Sequence, residues 1–150
     1  MDDFLIRAVK ASDRHQWDGL FAAYARFYGV AQTEKMRDTV WSWLHDPQAE
    51  SRGLVAERED GQLVGIAHFR PFTRPLSATT GCFLDDLFVH AEARGTGVAD
   101  ALIERLREVA SENGWSVVRW ITAEDNYRAR GVYDRLASKT DWVTYDVRIG

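Results

Sequence analysis

The chain has 150 residues, enough for one domain with a sizeable core. Hydrophobic residues make up 45% and charged residues 28%, and 19 basic against 23 acidic side chains leave a net charge of −4, without the basic excess of a non-specific nucleic-acid binder. A lone cysteine, Cys82, excludes an intrachain disulfide and fits a reducing, cytoplasmic setting; no apolar run nears the roughly 18 residues of a membrane span, and Met1-Asp2-Asp3 lacks the basic start of a leader peptide.

Phe4 to Val9 reads as a first strand. Ser12 or Asp13 can cap a helix over 13–28, where Trp17, Leu20, Phe21, Tyr24, Phe27 and Tyr28 recur at helical spacing until Gly29. Thr33 can cap a second helix with Met36, Val40, Trp43 and Leu44 on one face, stopped by Asp46-Pro47. Strands over 53–58 and 63–71 flank the hairpin turn Glu59-Asp60-Gly61-Gln62. A loop with Pro71, Pro75 and Ser77 leads to a strand over 80–89. A helix over 97–113 carries Val98, Leu102, Leu106, Val109 and Ala110, and Asn113-Gly114 ends it. A strand over 116–121, a helix over 126–136 and a last strand over 142–149 complete the chain. No repeat or linker divides it, so residues 1–150 read as one domain. Hairpins early and a strand-helix-strand unit late predict a mixed α/β fold with helices on both faces of one mixed sheet.

The segment between the strand over 80–89 and the helix after it carries the chemistry. Arg94-Gly95-Thr96-Gly97-Val98-Ala99 opens a long helix, whose first N–H groups lack partners and whose end is partly positive. Such an end binds phosphate, and Gly95 and Gly97 keep no side chain between backbone and ligand. Arg94 can contact phosphate or simply orient the turn. A P-loop would need Gly-Lys-Ser/Thr, which is absent. A dinucleotide fold would place its glycines after the first strand of its unit, not after a hairpin pair.

The run Leu84-Asp85-Asp86-Leu87-Phe88-Val89, four residues, then Arg94 to Ala99 resembles the GNAT superfamily of N-acetyltransferases. Some 30 residues on, Asn126, Ala129 and Val132-Tyr133-Asp134-Arg135-Leu136 resemble the asparagine and tyrosine region of that superfamily. Tyr24 to Tyr28 and Trp43-Leu44 look like aromatics of its polyamine- and histone-acetylating, diamine-acetyltransferase-like branch. The resemblance implies the GNAT fold: a mixed sheet of six to seven strands, about four helices, and a gap where the fourth and fifth strands splay apart. It implies acetyl-CoA as co-substrate. Backbone groups of Leu87, Phe88 and Val89 would pair with the pantetheine arm, and N–H groups of Arg94, Gly95, Thr96, Gly97, Val98 and Ala99 would hold the pyrophosphate. Asp100 stands at the next turn position, and Asn126, a helix cap in any case, would touch the pantetheine arm. Tyr133 would protonate the departing thiolate, the alternative being an aromatic packed between helix and sheet. Ser138 to Trp142 replaces the family's usual glycine-aromatic pair.

Direct transfer needs no enzyme nucleophile, and none stands out: Cys82, in an apolar run, reads as a small buried hydrophobe. Strand alternation sends Asp85 and Asp86 to opposite faces. By resemblance Asp85 binds the amine and relays its proton, although aspartate is one methylene shorter than the glutamate of relatives. Asp86 reads as structural or cation-binding, and Tyr28 and Trp43 as acceptor-pocket aromatics or core. Arg70 and Arg74 are either anchors for an acceptor carboxylate or solvated loop charges. His15, His45, His68 and His90 are scattered without metal-ligand spacing, so no metal is expected. The expected activity is acetyl transfer to a primary amine of a small molecule such as a polyamine or amino acid. A protein amino-group acetyltransferase and a non-catalytic CoA sensor are the alternatives. The expected partners are the small amine and, by resemblance, a second copy in a homodimer, with neither nucleic acid nor membrane.

Overall fold

The computed structural model describes residues 4–150, so the reading of Met1-Asp2-Asp3 lies outside the described residues. Five strands form one sheet in chain order: β1 (Phe4–Ala8), β2 (Arg52–Arg58), β3 (Leu63–Arg74), β4 (Thr79–Val89) and β5 (Val118–Trp120). The first four pair antiparallel, and β4 pairs parallel with β5. The four helices are α1 (Arg14–Phe27), α2 (Glu34–Leu44), α3 (Val98–Glu112) and α4 (Tyr127–Leu136).

Strand alternation divides the core between the two faces of the sheet. In β2, Val55 joins Trp17, Leu20 and Phe21 of α1 and Val40, Trp41 and Leu44 of α2. Its neighbours Leu54 and Ala56 join Val98, Leu102, Leu106 and Ala110 of α3, with Tyr133 and Leu136 of α4 at the margin. Trp41, not Trp43, stacks on Trp17, with ring centroids 4.9 Å apart. Met36 and Trp43, expected on the packed face of α2, are exposed. The helix is rotated so that Trp41 fills the space above α1.

Thr33 caps α2 as expected, its hydroxyl accepting from the Met36 amide at 3.1 Å. Asp13 precedes α1 but makes no side-chain cap. Instead its buried carboxylate takes two bonds of 2.8 Å from the Arg7 guanidinium, which also bonds Glu57, tying β1, α1 and β2 together. Strand β3 runs three residues past its expected end, straight through Pro71. Its pairing with β2 stops at Phe69, so Pro71 lies where β3 has only β4 beside it and its missing N–H costs no ladder bond.

The strand expected over 142–149 does not form. Residues 138–150 are exposed, belong to no helix or strand, and make no backbone hydrogen bond to the rest of the described chain. The sheet therefore has five strands rather than six or seven, with β5 at its edge. A strand needs a ladder partner, and this chain alone supplies none to its last segment. Among the described residues no helix is long and apolar enough to cross a membrane.

Candidate active site

The parallel ladder between β4 and β5 is short: Cys82, Phe83 and Leu84 face Val118, Arg119 and Trp120. Past Leu84, β4 keeps β3 on one side and has no strand on the other. A gap opens there, and a cavity of about 500 Å³ follows it. Leu87, Phe88 and Val89 line it along β4, and Arg94, Gly95, Gly97, Val98, Ala99 and Asp100 line it at the start of α3. Tyr28, Asn126 and Tyr133 close the far side. Thr96 sits within the turn but turns its hydroxyl to the Ala93 carbonyl.

The turn is shaped for a phosphate. Gly97 is the N-cap of α3, with φ 90° and no side chain to bond the helix end. The amides of Val98, Ala99 and Asp100 thus have neither a helical partner nor a cap. Gly95 has φ 81°, and a Cβ at either glycine would meet nothing within 4 Å. The left-handed backbone, rather than crowding, calls for glycine here. The helix is seated by another glycine, Gly65 on β3. A Cβ there would stand 2.8 Å from Val98 Cγ1 and 3.2 Å from Leu102 Cδ1. Nothing in the local sequence around Gly65 signals this contact, because both partners lie more than 30 residues away.

Cations surround the cradle. The Arg94 guanidinium lies over Phe27 and Phe88, 5.7 and 5.8 Å from the ring centroids. Arg135 pairs with Asp100 at 3.2 Å, offsetting the one acidic charge in the first turn of α3. Arg128 and Arg135 of α4 line the cavity, as do Tyr24 and Phe27 of α1. None of these four was given a site role from the sequence: Arg135 lies inside the second motif and Tyr24 and Phe27 inside the aromatic run Tyr24 to Tyr28, while Arg128 sits among the charges of a polar helix.

Three distant segments meet at Tyr133. Its ring packs edge-on against Trp120 at 5.3 Å. Burial and then the neighbouring Tyr28 push its phenol up to about 12. Asn126 does not cap α4 with its side chain; its amide donates to the Tyr28 hydroxyl at 3.2 Å, bridging α4 to α1 across the cavity.

The paired carboxylates are not on opposite faces. The β3–β4 register breaks, with Phe69 opposite Leu84 but His68 opposite Asp86, so Asp85 is an extra residue in β4. The bulge lets two residues of one β3 face receive both acids. Arg70 Nε donates to Asp85 at 3.0 Å, and His68 Nδ1 meets Asp86 at 2.8 Å. Neither Asp85 nor Asp86 lines the cavity itself; burial raises the Asp85 pKa while Arg70 opposes the rise. Asp86 lies behind the wall residue Tyr24, whose phenol is raised first by burial and then by the Asp86 carboxylate. His68 is buried against Trp17 and Phe21. Trp17 Nε1–H donates to His68 Nε2 at 2.9 Å, so Nδ1 carries the proton given to Asp86. Trp43 is not brought to the cavity. Cys82 is fully buried, and burial pushes its thiol up to about 11.

The chain resembles known proteins in sequence and in fold. The sequence model of the Acetyltransferase (GNAT) family matches residues 17–137. D-amino-acid N-acetyltransferase HPA3 of Saccharomyces cerevisiae is 30% identical over 145 residues, covering 96% of this chain and 90% of its own length. A ribosomal-protein-alanine N-acetyltransferase from Brucella melitensis biovar Abortus superposes with TM-score 0.81 at 28% identity, covering 99% of this chain and 100% of its own. The aminoglycoside N-acetyltransferase AAC(6')-Iy in complex with CoA shares the fold, with TM-score 0.82, 18% identity and coverage of 97% and 94%.

Proposed function

The chain belongs to the Acetyltransferase (GNAT) family, and from that premise we propose that it transfers an acetyl group from acetyl-CoA to the primary amine of a small amino-acid-like metabolite. One observation carries the reading: the unpartnered edge of β4 runs directly into the bare amide end of α3, in a cavity of about 500 Å³ walled by Tyr133. The site fits CoA by its own chemistry. Free backbone groups at Leu87 to Val89 match an amide-bearing pantetheine arm. The amides of Gly97 to Asp100, with Arg94, Arg128 and Arg135 nearby, match a pyrophosphate.

Acetyl-CoA supplies the activated acetyl thioester. The residues of the chain hold the two ends and move the protons. Tyr133, protonated at every ordinary assay pH, gives its proton to the leaving sulfur and recovers one from solvent. Asp86 receives the acceptor's ammonium and takes a proton from it, through Tyr24 or a water. Asp85, first expected in that role, accepts from Arg70 Nε instead, which leaves the two NH2 groups of that guanidinium to take a carboxylate of the acceptor. An ammonium at Asp86 and a carboxylate at Arg70 describe an amino acid better than a polyamine, and HPA3 is named for D-amino acids. Tyr28 lines the way in.

Acetyl-CoA turnover, read as free thiol over a panel of L- and D-amino acids, polyamines and an alanine-initiated peptide, tests the reading. Turnover with amino acids above the other amines supports it. Turnover with the peptide alone favours a protein amino-group acetyltransferase. Tight CoA binding without turnover on any amine favours a sensor.

A further inference from the structure

On the α1 side of the sheet the packed core ends at Ile66 and His68. Beyond them the same face carries Arg70 and Phe72 of β3, Phe83 of β4 and Arg119 of β5, all half-buried. Register puts them together: Arg70 stands opposite Phe83, and Phe83 beside Arg119. Leu84, Val118 and Trp120, between these positions, face the α3 side instead. The two rings meet edge to face with centroids 5.8 Å apart. Each carries a guanidinium: Arg70 lies 4.8 Å from the Phe83 centroid, and Arg119 lies 5.5 Å from that of Phe72. Gly81, opposite Phe72, makes room for this. A Cβ there would stand 2.7 Å from Phe72 Cε1, so the bare strand lets the ring lie across β4.

The two cations differ. Arg70 is paired with Asp85. Arg119 has no ion-pair or hydrogen-bond partner among the described residues, and rests on the Phe72 ring. In a chain with 19 basic and 23 acidic side chains, this face thus keeps an excess of positive charge. A guanidinium laid on a ring is held in place while its N–H edge stays free for a carboxylate.

We propose that Arg119 is a specificity residue of the acceptor site, taking a second carboxylate, and that the preferred acceptors are dicarboxylic amino acids. The inference rests on the amino-acid reading above, with the ammonium at Asp86 and one carboxylate at Arg70. Arg70 and Arg119 spring from strands on either side of β4, so their backbones are two strand spacings, about 10 Å, apart. Both side chains reach inward over the rings, and a molecule with two carboxylates a few bonds apart bridges them there. A neutral side chain of the same length leaves the Arg119 charge unpaired.

The test compares each acid with its neutral isostere as acceptor: glutamate with glutamine, and aspartate with asparagine. In the wild type kcat/KM should favour the acid of at least one pair about 10-fold or more. Arg119→Gln, checked for folding by circular dichroism, should bring that ratio close to one, and Arg119→Lys should keep part of it. Amino-acid turnover with equal rates for acid and amide, or a ratio unchanged in Arg119→Gln, overturns this inference and leaves the proposed function standing. No turnover with any amino acid overturns both. Glutarate, which has two carboxylates and no amine, tests the arginine pair apart from acetyl transfer. Calorimetry should show it binding the wild type about 10-fold more tightly than butyrate does, with that advantage lost in Arg119→Gln. Equal binding of the two acids to the wild type overturns the inference.

Discussion

In the proposed mechanism Tyr133 and Asp86 divide the proton work, and each role has its own test. Tyr133 lies against Trp120, and burial pushes its phenol up to about 12. Tyr133→Phe keeps the ring and removes the acid. Its kcat should fall about 100-fold or more, while the Kd for acetyl-CoA, measured by calorimetry, stays within a factor of about two. An unchanged kcat would remove the acid from the mechanism. The raised phenol also acts on stability. Its contribution is whole below pH about 10 and is lost as pH rises through about 12, so Tyr133→Phe should flatten the alkaline limb of unfolding. His68 acts through Asp86, by holding the carboxylate with a proton that the Trp17 indole directs to Nδ1. His68→Phe leaves both partners unpaired and should cost about 2 kcal/mol in chemical denaturation. A role in positioning predicts more: KM for the amine rises several-fold while KM for acetyl-CoA holds. A stability loss with no change in amine KM would assign His68 to the core alone.

At the scale of elements, the cradle depends on how closely α3 can approach the sheet. Gly65 sets that distance, because a Cβ there would overlap Val98. Gly65→Ala should destabilise the fold by about 1–3 kcal/mol and raise the Kd for CoA, since Val98 also lines the cavity. The join of β1, α1 and β2 depends on Arg7, Asp13 and Glu57. Burial opposes ionisation of Asp13, but the Arg7 guanidinium and the Lys10 amide outweigh it and hold the carboxyl below its usual value. The sign follows from linkage: its contribution is whole above pH about 4 and is lost as pH falls through the lowered native value. Asp13→Asn should therefore cost about 2 kcal/mol at pH 7 and progressively less in acid, with the two denaturation curves converging at low pH.

Across the whole molecule, the cavity is a junction. Its walls come from α1, β4, α3 and α4, and one direct bond, Asn126 to Tyr28, crosses from α4 to α1. A ligand seated there adds contacts between elements that otherwise touch little. Acetyl-CoA at 100 times its Kd should stabilise the protein by about 2.7 kcal/mol, a rise of roughly 5–10 °C in Tm for a chain of this size. Hydrogen exchange should slow most in α4, which has no buried residue of its own.

Local signals were enough for much of this. Turn chemistry and apolar periodicity placed the four helices and the first four strands to within a few residues. The two motifs pointed to residues that the fold brings to one cavity, because an amide cradle is built from consecutive residues. The acceptor half was legible only in part. Asp85 and Asp86 were visible as a pair, but a bulge set by the register of β3 decided which way each turned. His68 looked like one of four scattered histidines until the sheet brought Trp17 and Asp86 to its two nitrogens. The last segment alternates like a strand and was expected as one over 142–149, but none forms there. Alternation in a sequence states which face of a segment seeks cover; only the tertiary arrangement decides whether an edge is within reach to provide it.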